Sequence, residues 1–171
     1  MLTRRTLLRA GVMSMFLGWS RPARAATPLR LTRAGSSDFL LLDDDTSSDD
    51  IAWVFRDRRT DEVSTIDPEL VRVLRGVQWC TGTDHIELTS GYRTEASNRE
   101  CGGAPQSFHL RGQAMDIVVP GWSPAEIARI GRQVGAGGTG IYTGFTHLDT
   151  GPNRRWSKLP RRRRRLRAWP A

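Results

Sequence analysis

Apolar positions along this chain change period several times, and each change predicts an element. Residues 29–32 and 39–42 read as short strands around a Gly-Ser turn. Residues 43–50 are rich in Asp and Ser. They lack the glycine and distal glutamate of a calcium loop, so a solvated loop is predicted. Residues 51–55 form a short apolar run, and 56–61 read as a turn. Asp67-Pro68-Glu69 opens a helix with a capping Asp, Pro at the first position and an acid in the first turn. Leu70, Val71, Leu74 and Val77 then share one face, so this helix packs on a core. A strand is predicted at 85–89, a helical turn at 94–99 and a strand at 113–119. Ser123-Pro124-Ala125-Glu126 is a capping box that leads a helix to about Gln133. The glycines of 135–140 read as a tight turn, because no Lys-Ser or Lys-Thr follows them to make a phosphate loop. A strand pair at 140–142 and 145–149 completes the pattern. The sum is one α+β domain with a small antiparallel sheet flanked by helices.

The ends of the chain differ from this body. Thr3-Arg4-Arg5-Thr6 precedes an apolar run from Ala10 to Trp19, and Ala23-Arg24-Ala25 offers the small residues that a signal peptidase reads. The run is too short for a permanent membrane anchor. Residues 1–25 are therefore read as a twin-arginine-type signal peptide, with an ordinary secretory signal as the alternative. The formal net charge is +8, from 26 basic and 18 acidic residues. Five arginines belong to residues 1–25, and nine basic residues lie between Arg154 and Arg167. Without them, 12 basic residues face 18 acidic ones, so the body is acidic at −6. Residues 157–171 read as a separate basic tail, expected to be disordered. Anionic lipid head groups or acidic wall polymers suit such a tail. Export argues against nucleic acid, and a monomer is expected.

Cys80 and Cys101 are the only cysteines. In an exported protein the pair is a disulfide candidate, which would pin the loop before His109 to the preceding helix. Two free, buried thiols are the alternative.

The candidate chemistry lies in two segments. Ser-Phe-His-Leu-Arg-Gly-Gln-Ala-Met-Asp spans 107–116, and Phe-Thr-His-Leu-Asp spans 145–149. They hold two of the three histidines, each near a carboxylate. Strand alternation puts Ala114 and Asp116 on one face, Met115 and Ile117 on the other. His147 and Asp149 share a face of the last strand. His109, Asp116 and His147 can thus converge on one metal, since two imidazoles and a carboxylate leave an open position on zinc. Hydrogen-bonded surface groups are the plainer alternative.

The 107–116 segment resembles the Ser-x-His-x-x-Gly-x-Ala-x-Asp motif of D-Ala-D-Ala metallopeptidases with the hedgehog/DD-peptidase fold. The wider pattern is similar to their exported, YcbK-like branch. Residues 55–60 (Phe-Arg-Asp-Arg-Arg-Thr), 90–94 (Ser-Gly-Tyr-Arg-Thr) and 147–151 (His-Leu-Asp-Thr-Gly), with Arg155-Trp156, extend the likeness. It implies a zinc peptidase-like domain over 26–156 that binds Zn2+ through His109, Asp116 and His147. It further implies that Arg93 holds a substrate carboxylate or carbonyl, with a structural salt bridge as the alternative role. Ser107 would bind near the site or serve only as a turn residue. Peptidoglycan peptides are the implied substrates, cut by a DD- or LD-endopeptidase or carboxypeptidase, and the periplasm the implied location. Relatives place an acidic general base three positions before the last ligand, where this chain has Gly144. Asp149 is the replacement candidate, as base or as a group that orients His147. His85 is a weaker candidate. Without a base, the chain would be a non-catalytic metal-containing wall-binding or scaffold protein. A third expectation is an anionic-polymer binder acting through the tail.

Overall fold

The computed structural model describes residues 27–160. The leader read at 1–25 and the arginines from Arg161 onward lie outside them. In chain order the elements are β1 (Leu29–Arg33), β2 (Phe39–Leu42), α1 (Ser48–Val54), α2 (Pro68–Thr81), β3 (His85–Ser90) and α3 (Glu95–Glu100). A 3-10 turn (Phe108–Arg111) follows, then β4 (Ala114–Val118), α4 (Pro124–Gln133), β5 (Gly138–Ile141), β6 (Thr146–Asp149) and β7 (Arg154–Ser157). No helix among the described residues is long and apolar enough to cross a membrane.

The fold is α+β, but the sheet is neither small nor purely antiparallel. Seven strands lie in the order β2-β1-β3-β4-β6-β5-β7. β1 pairs with β3, and β5 with β7, in parallel; the other neighbours are antiparallel. A parallel pair needs a long crossover. Helices α1 and α2 supply it between β1 and β3, and the strand periodicity alone does not show this. β7 replaces part of the predicted tail. After β6 the chain steps across the start of β5, and Arg154 N–H donates to Gly137 O (3.0 Å). The ordered backbone runs past residue 156, because Lys158 N–H donates to Ile141 O (2.8 Å).

One side of the sheet carries the core. Leu31 of β1, Ile86 and Leu88 of β3, Met115 and Ile117 of β4 and Leu148 of β6 are fully or almost fully buried. Leu70, Val73, Leu74 and Val77 of α2 and Ile127 and Ile130 of α4 cover them. Each such side chain contributes roughly 1.5–3 kcal/mol, so this face fixes the strand register. The caps of both helices form as predicted. Asp67 accepts from Glu69 N–H, Pro68 occupies the first position, and Ser123 and Glu126 make the reciprocal capping box.

The loop predicted at 43–50 is shorter than expected, because α1 begins at Ser48 and takes in the apolar run. Ser47 caps it by accepting from Asp50 N–H, and Asp49 and Asp50 suit the positive helix start. The predicted glycine turn is likewise cut short, since β5 starts at Gly138. Cys80 and Cys101 form no disulfide; both are free and exposed. Cys80 lies in the last turn of α2, while Cys101 is the C-cap of α3, where its thiol donates to Asn98 O (3.3 Å). Hydrogen bonds from Asn98 Nδ2 to Ala104 O and from Gly103 N–H to Asn98 O hold the loop before His109 instead.

Candidate metal centre

The face opposite the core is built around one row of residues. Strand register sets Ser90 of β3 beside Asp116 of β4, Asp116 beside His147 of β6, His147 beside Gly140 of β5, and Gly140 beside Trp156 of β7. His109 joins the row from the 3-10 turn. Ser107 caps that turn by accepting from His109 N–H, and Gly112 ends it at φ 64°. This left-handed conformation favours glycine, and a Cβ there would lie 2.1 Å from Thr65 O. Gly140 is needed for another reason. A Cβ there would meet the Trp156 ring at 2.5 Å, so only glycine lets the indole lie over β5 beside His147.

The three expected ligands meet. His147 Nδ1 lies 2.8 Å from Asp116 Oδ1, His109 Nε2 lies 3.3 Å from the same oxygen, and the two ring nitrogens are 3.1 Å apart. One ligand atom from each residue falls within 4.8 Å of the others, and all three residues are buried. The outer nitrogens are already committed. His109 Nδ1–H donates to Gly91 O (2.6 Å), and His147 Nε2–H donates to Asp149 Oδ2 (3.0 Å). In the neutral rings the inner nitrogens are then bare lone pairs, facing each other and a carboxylate. Such a cluster repels itself unless a proton or a cation sits among them, so the donor set fits a metal ion.

The titration tendencies follow from the same crowding. Burial pushes the His109 pKa down, against the pull of Asp116. Burial also disfavours the charged form of His147, but hydrogen bonds to Asp116 and Asp149 outweigh it and raise its pKa. Burial opposes ionisation of Asp116, yet the two histidines hold its pKa far below the ordinary carboxyl value.

The remaining expected residues divide. Arg93 sits beside the cluster, Nη2 donating to Asp116 Oδ2 (2.5 Å) and Nε to Ser90 Oγ (2.7 Å). It therefore makes the salt bridge held open as its alternative role, and it also lines the cleft. Ser107 lines the cleft too, with its hydroxyl engaged as a cap. Asp149 sits on the far side of His147 from Asp116. Its side chain is 0% exposed and faces the outer nitrogen of His147. Its oxygens also accept from Gly138 N–H, Gly151 N–H and Arg154 Nη2. Burial works against the charge, but the bonds from His147 and Gly151 and the charge of Arg154 keep the Asp149 pKa low. A low-pKa carboxylate with no exposure orients a ligand better than it takes a proton from water. His85 is remote from the cluster, sharing a hydrogen bond with Thr32 Oγ1 (2.8 Å).

The cleft over the cluster has a volume of about 450 Å³. Residues that the sequence reading gave no role form one wall. Trp156 lies 5.1 Å from the His147 ring and donates its Nε1–H to Tyr142 Oη (3.1 Å). Tyr142 stacks on Phe145 at 4.4 Å. The family likeness marked Trp156 without a role, and the wall exists only once β7 lies beside β5.

A family model described as Peptidase M15 matches residues 48–149. The chain is 39% identical over 110 residues to the peptidoglycan L,D-endopeptidase MepK of Escherichia coli (strain K12), covering 60% of each protein. It is 32% identical over 113 residues to the probable peptidoglycan L,D-endopeptidase MepK of Haemophilus influenzae, covering 61% of each. The chain thus spans about 60% of the length of these curated relatives.

Proposed function

This chain belongs to the peptidase M15 family, and from that premise we propose that it is an exported, zinc-dependent peptidase cutting peptide bonds of peptidoglycan. The observation that carries the proposal is the buried convergence of His109, Asp116 and His147 with their inner donor atoms unblocked. Likeness to peptidoglycan L,D-endopeptidases supports the substrate class and favours an L,D bond. The paired arginines and apolar run of residues 1–25 support export to the periplasm. When bound, zinc would supply Lewis acidity at the scissile carbonyl and acidify a water.

The chain's own groups set up that chemistry. Gly91 O and Asp149 fix the tautomers of His109 and His147, so both present bare nitrogens inward. Arg93 neutralises Asp116 from behind and keeps Nη1 towards the cleft rim, 3.5 Å from Cys101 Sγ. From there the guanidinium can hold a substrate carbonyl or carboxylate. The Trp156, Tyr142 and Phe145 rings shield one side of the centre from water.

Asp149 is here a positioning residue. Asp149→Asn turns an amide donor towards His147 Nε2 and favours the wrong tautomer. Metal affinity should fall roughly 10–100-fold, and excess zinc should restore part of the rate. A variant that keeps its zinc affinity and loses only kcat would instead make Asp149 the base.

One observation favours a second reading, a non-catalytic wall-binding protein. Asp116 and Asp149 are the only acids among the described cleft residues, and both are fully engaged. The deciding experiment measures bound zinc in the chain from Ala26 onward and follows peptide release from purified peptidoglycan by mass spectrometry. One equivalent of zinc, and release that a chelator abolishes and zinc restores, is the expected result. Zinc with peptidoglycan binding but no release would support the second reading. Failure to bind zinc would sink both.

A further inference from the structure

Three cationic side chains of the described residues line the cleft: Arg93, Arg154 and Lys158. Two have their charge matched inside the protein. Arg93 pairs with Asp116, and Arg154 donates to Asp149 Oδ2 at 2.7 Å. Lys158 has no carboxylate within ion-pair distance among the described residues. Its place is nonetheless defined. Its N–H is anchored on Ile141 O, just past β7, and its ammonium stands 5.8 Å from the centre of the Tyr142 ring. That ring is braced by Phe145 and by the Trp156 indole, which in turn lies beside His147. Lys158 is thus an unmatched charge beside an aromatic shelf, with Tyr142 and Trp156 between it and His147. The basic-tail reading of 157–171 hid this, because on sequence alone Lys158 merges with the arginine run.

We propose that Lys158 is a specificity-determining residue that selects peptides bearing a free carboxylate beside the reacting bond, on the Trp156 side of the cleft. The inference rests on the peptidase reading above and adds the anionic character of the substrate. The electrostatics agree. The two acids of the cleft are neutralised by two arginines, and a bound dication adds positive charge, so an anionic group is drawn in and a cationic one repelled. Consecutive Cα atoms lie about 3.8 Å apart, so a carboxylate carried one or two residues from the scissile bond can reach past the Trp156 and Tyr142 rings. The ring face of Tyr142 also favours a cation beside it within about 6 Å, which keeps the ammonium on the shelf when the cleft is empty.

The test uses two synthetic peptides with an L–D junction, identical except that the residue after the junction carries a free carboxylate or its carboxamide. kcat/KM is measured with zinc-loaded wild type, Lys158→Met and Lys158→Arg. Wild type should prefer the carboxylate by about two- to fivefold, as expected for an exposed ion pair. Lys158→Arg should keep the preference and Lys158→Met should bring the ratio near one. Because the ratio is internal to each variant, partial misfolding does not imitate the result. An unchanged ratio in Lys158→Met, or no preference in wild type, overturns the proposal. If wild type cuts neither peptide, the peptidase reading fails by itself, and calorimetric Kd values for the same peptides decide the role of Lys158. A carboxylate preference lost in Lys158→Met then upholds it, and equal Kd values overturn it.

Discussion

Asp116→Asn is expected to leave a folded protein that holds no metal and has lost its peptide release. Asp116 is central because three interactions meet on its carboxylate: His147 Nδ1, His109 Nε2 and Arg93 Nη2. Asparagine keeps the shape, but one of its two terminal atoms becomes a donor group with no lone pair for a cation. Turned towards the histidines, that group offers a cation no ligand atom; turned towards Arg93, it breaks the salt bridge. The loss in kcat/KM should reach at least roughly 10³-fold, more than the 10–100-fold typical of a group one step removed from the metal. Elemental analysis of the purified variant should fall from one equivalent of zinc to none, with an unchanged far-ultraviolet circular dichroism spectrum. Retention of zinc and of turnover would show that the ligand set has been misassigned.

The second large effect lies away from the cluster. Asp57, in the loop after α1, is only 1% exposed and accepts four hydrogen bonds. They come from Thr94 N–H (2.6 Å), Ser97 Oγ (2.9 Å), Arg59 N–H (2.7 Å) and Thr60 N–H (3.3 Å). It therefore ties the 56–61 turn to the start of α3, one residue beyond Arg93. Asp57→Asn forces an NH2 group against buried N–H or O–H donors whichever way the amide is turned. A cost of about 3 kcal/mol follows from a buried acceptor lost to its donors. That would lower Tm by roughly 10 °C for a domain of this size. Arg93 should lose its fixed position as well, so kcat/KM falls even where the variant is fully folded.

The pH dependence separates this account from a mere packing defect. Burial opposes the charge on Asp57, but the backbone bonds from Arg59 and Thr94 and the Ser97 hydroxyl hold its pKa below the ordinary carboxyl value. A group whose folded pKa is lowered stabilises fully above its unfolded pKa, near 3.9 for aspartate. That contribution is lost as pH falls through the folded value. The stability gap between wild type and Asp57→Asn should therefore be constant near neutrality and narrow below about pH 4. Denaturant midpoints across that range measure it. A gap that does not change with pH would assign the loss to packing.

Much of the site was legible before any coordinates. The Ser107 to Asp116 segment and His147 marked the three residues that the fold brings together, and Ser-Gly-Tyr-Arg marked Arg93 beside them. His109, Asp116 and His147 can be found because alternation in a strand decides which residues share a face, and a 3-10 turn capped by Ser107 and closed by Gly112 is a local matter, whereas Arg93 was marked only by the family resemblance. The base expectation for Asp149 shows the limit of the same rule. Alternation puts His147 and Asp149 on one face, and so it does not say which edge of the imidazole the carboxylate meets. The close backbone of β5 decided that, because Gly138 lets Asp149 pack against it with no Cβ between them.

By itself, then, the sequence determined the helices α2 and α4, most strands and the identity of the metal-binding candidates. Caps, periodicity and residue chemistry act within a few positions, and those interactions are present in any window of the chain. Only the tertiary structure decided the parallel pairing of β1 with β3, the free state of Cys80 and Cys101, and the move of Lys158 from tail to cleft wall. Each of these depends on contacts between segments far apart in the chain, or on where a loop crosses another. Strand pairing is fixed by which faces bury together across the whole sheet, and no local window contains that free energy.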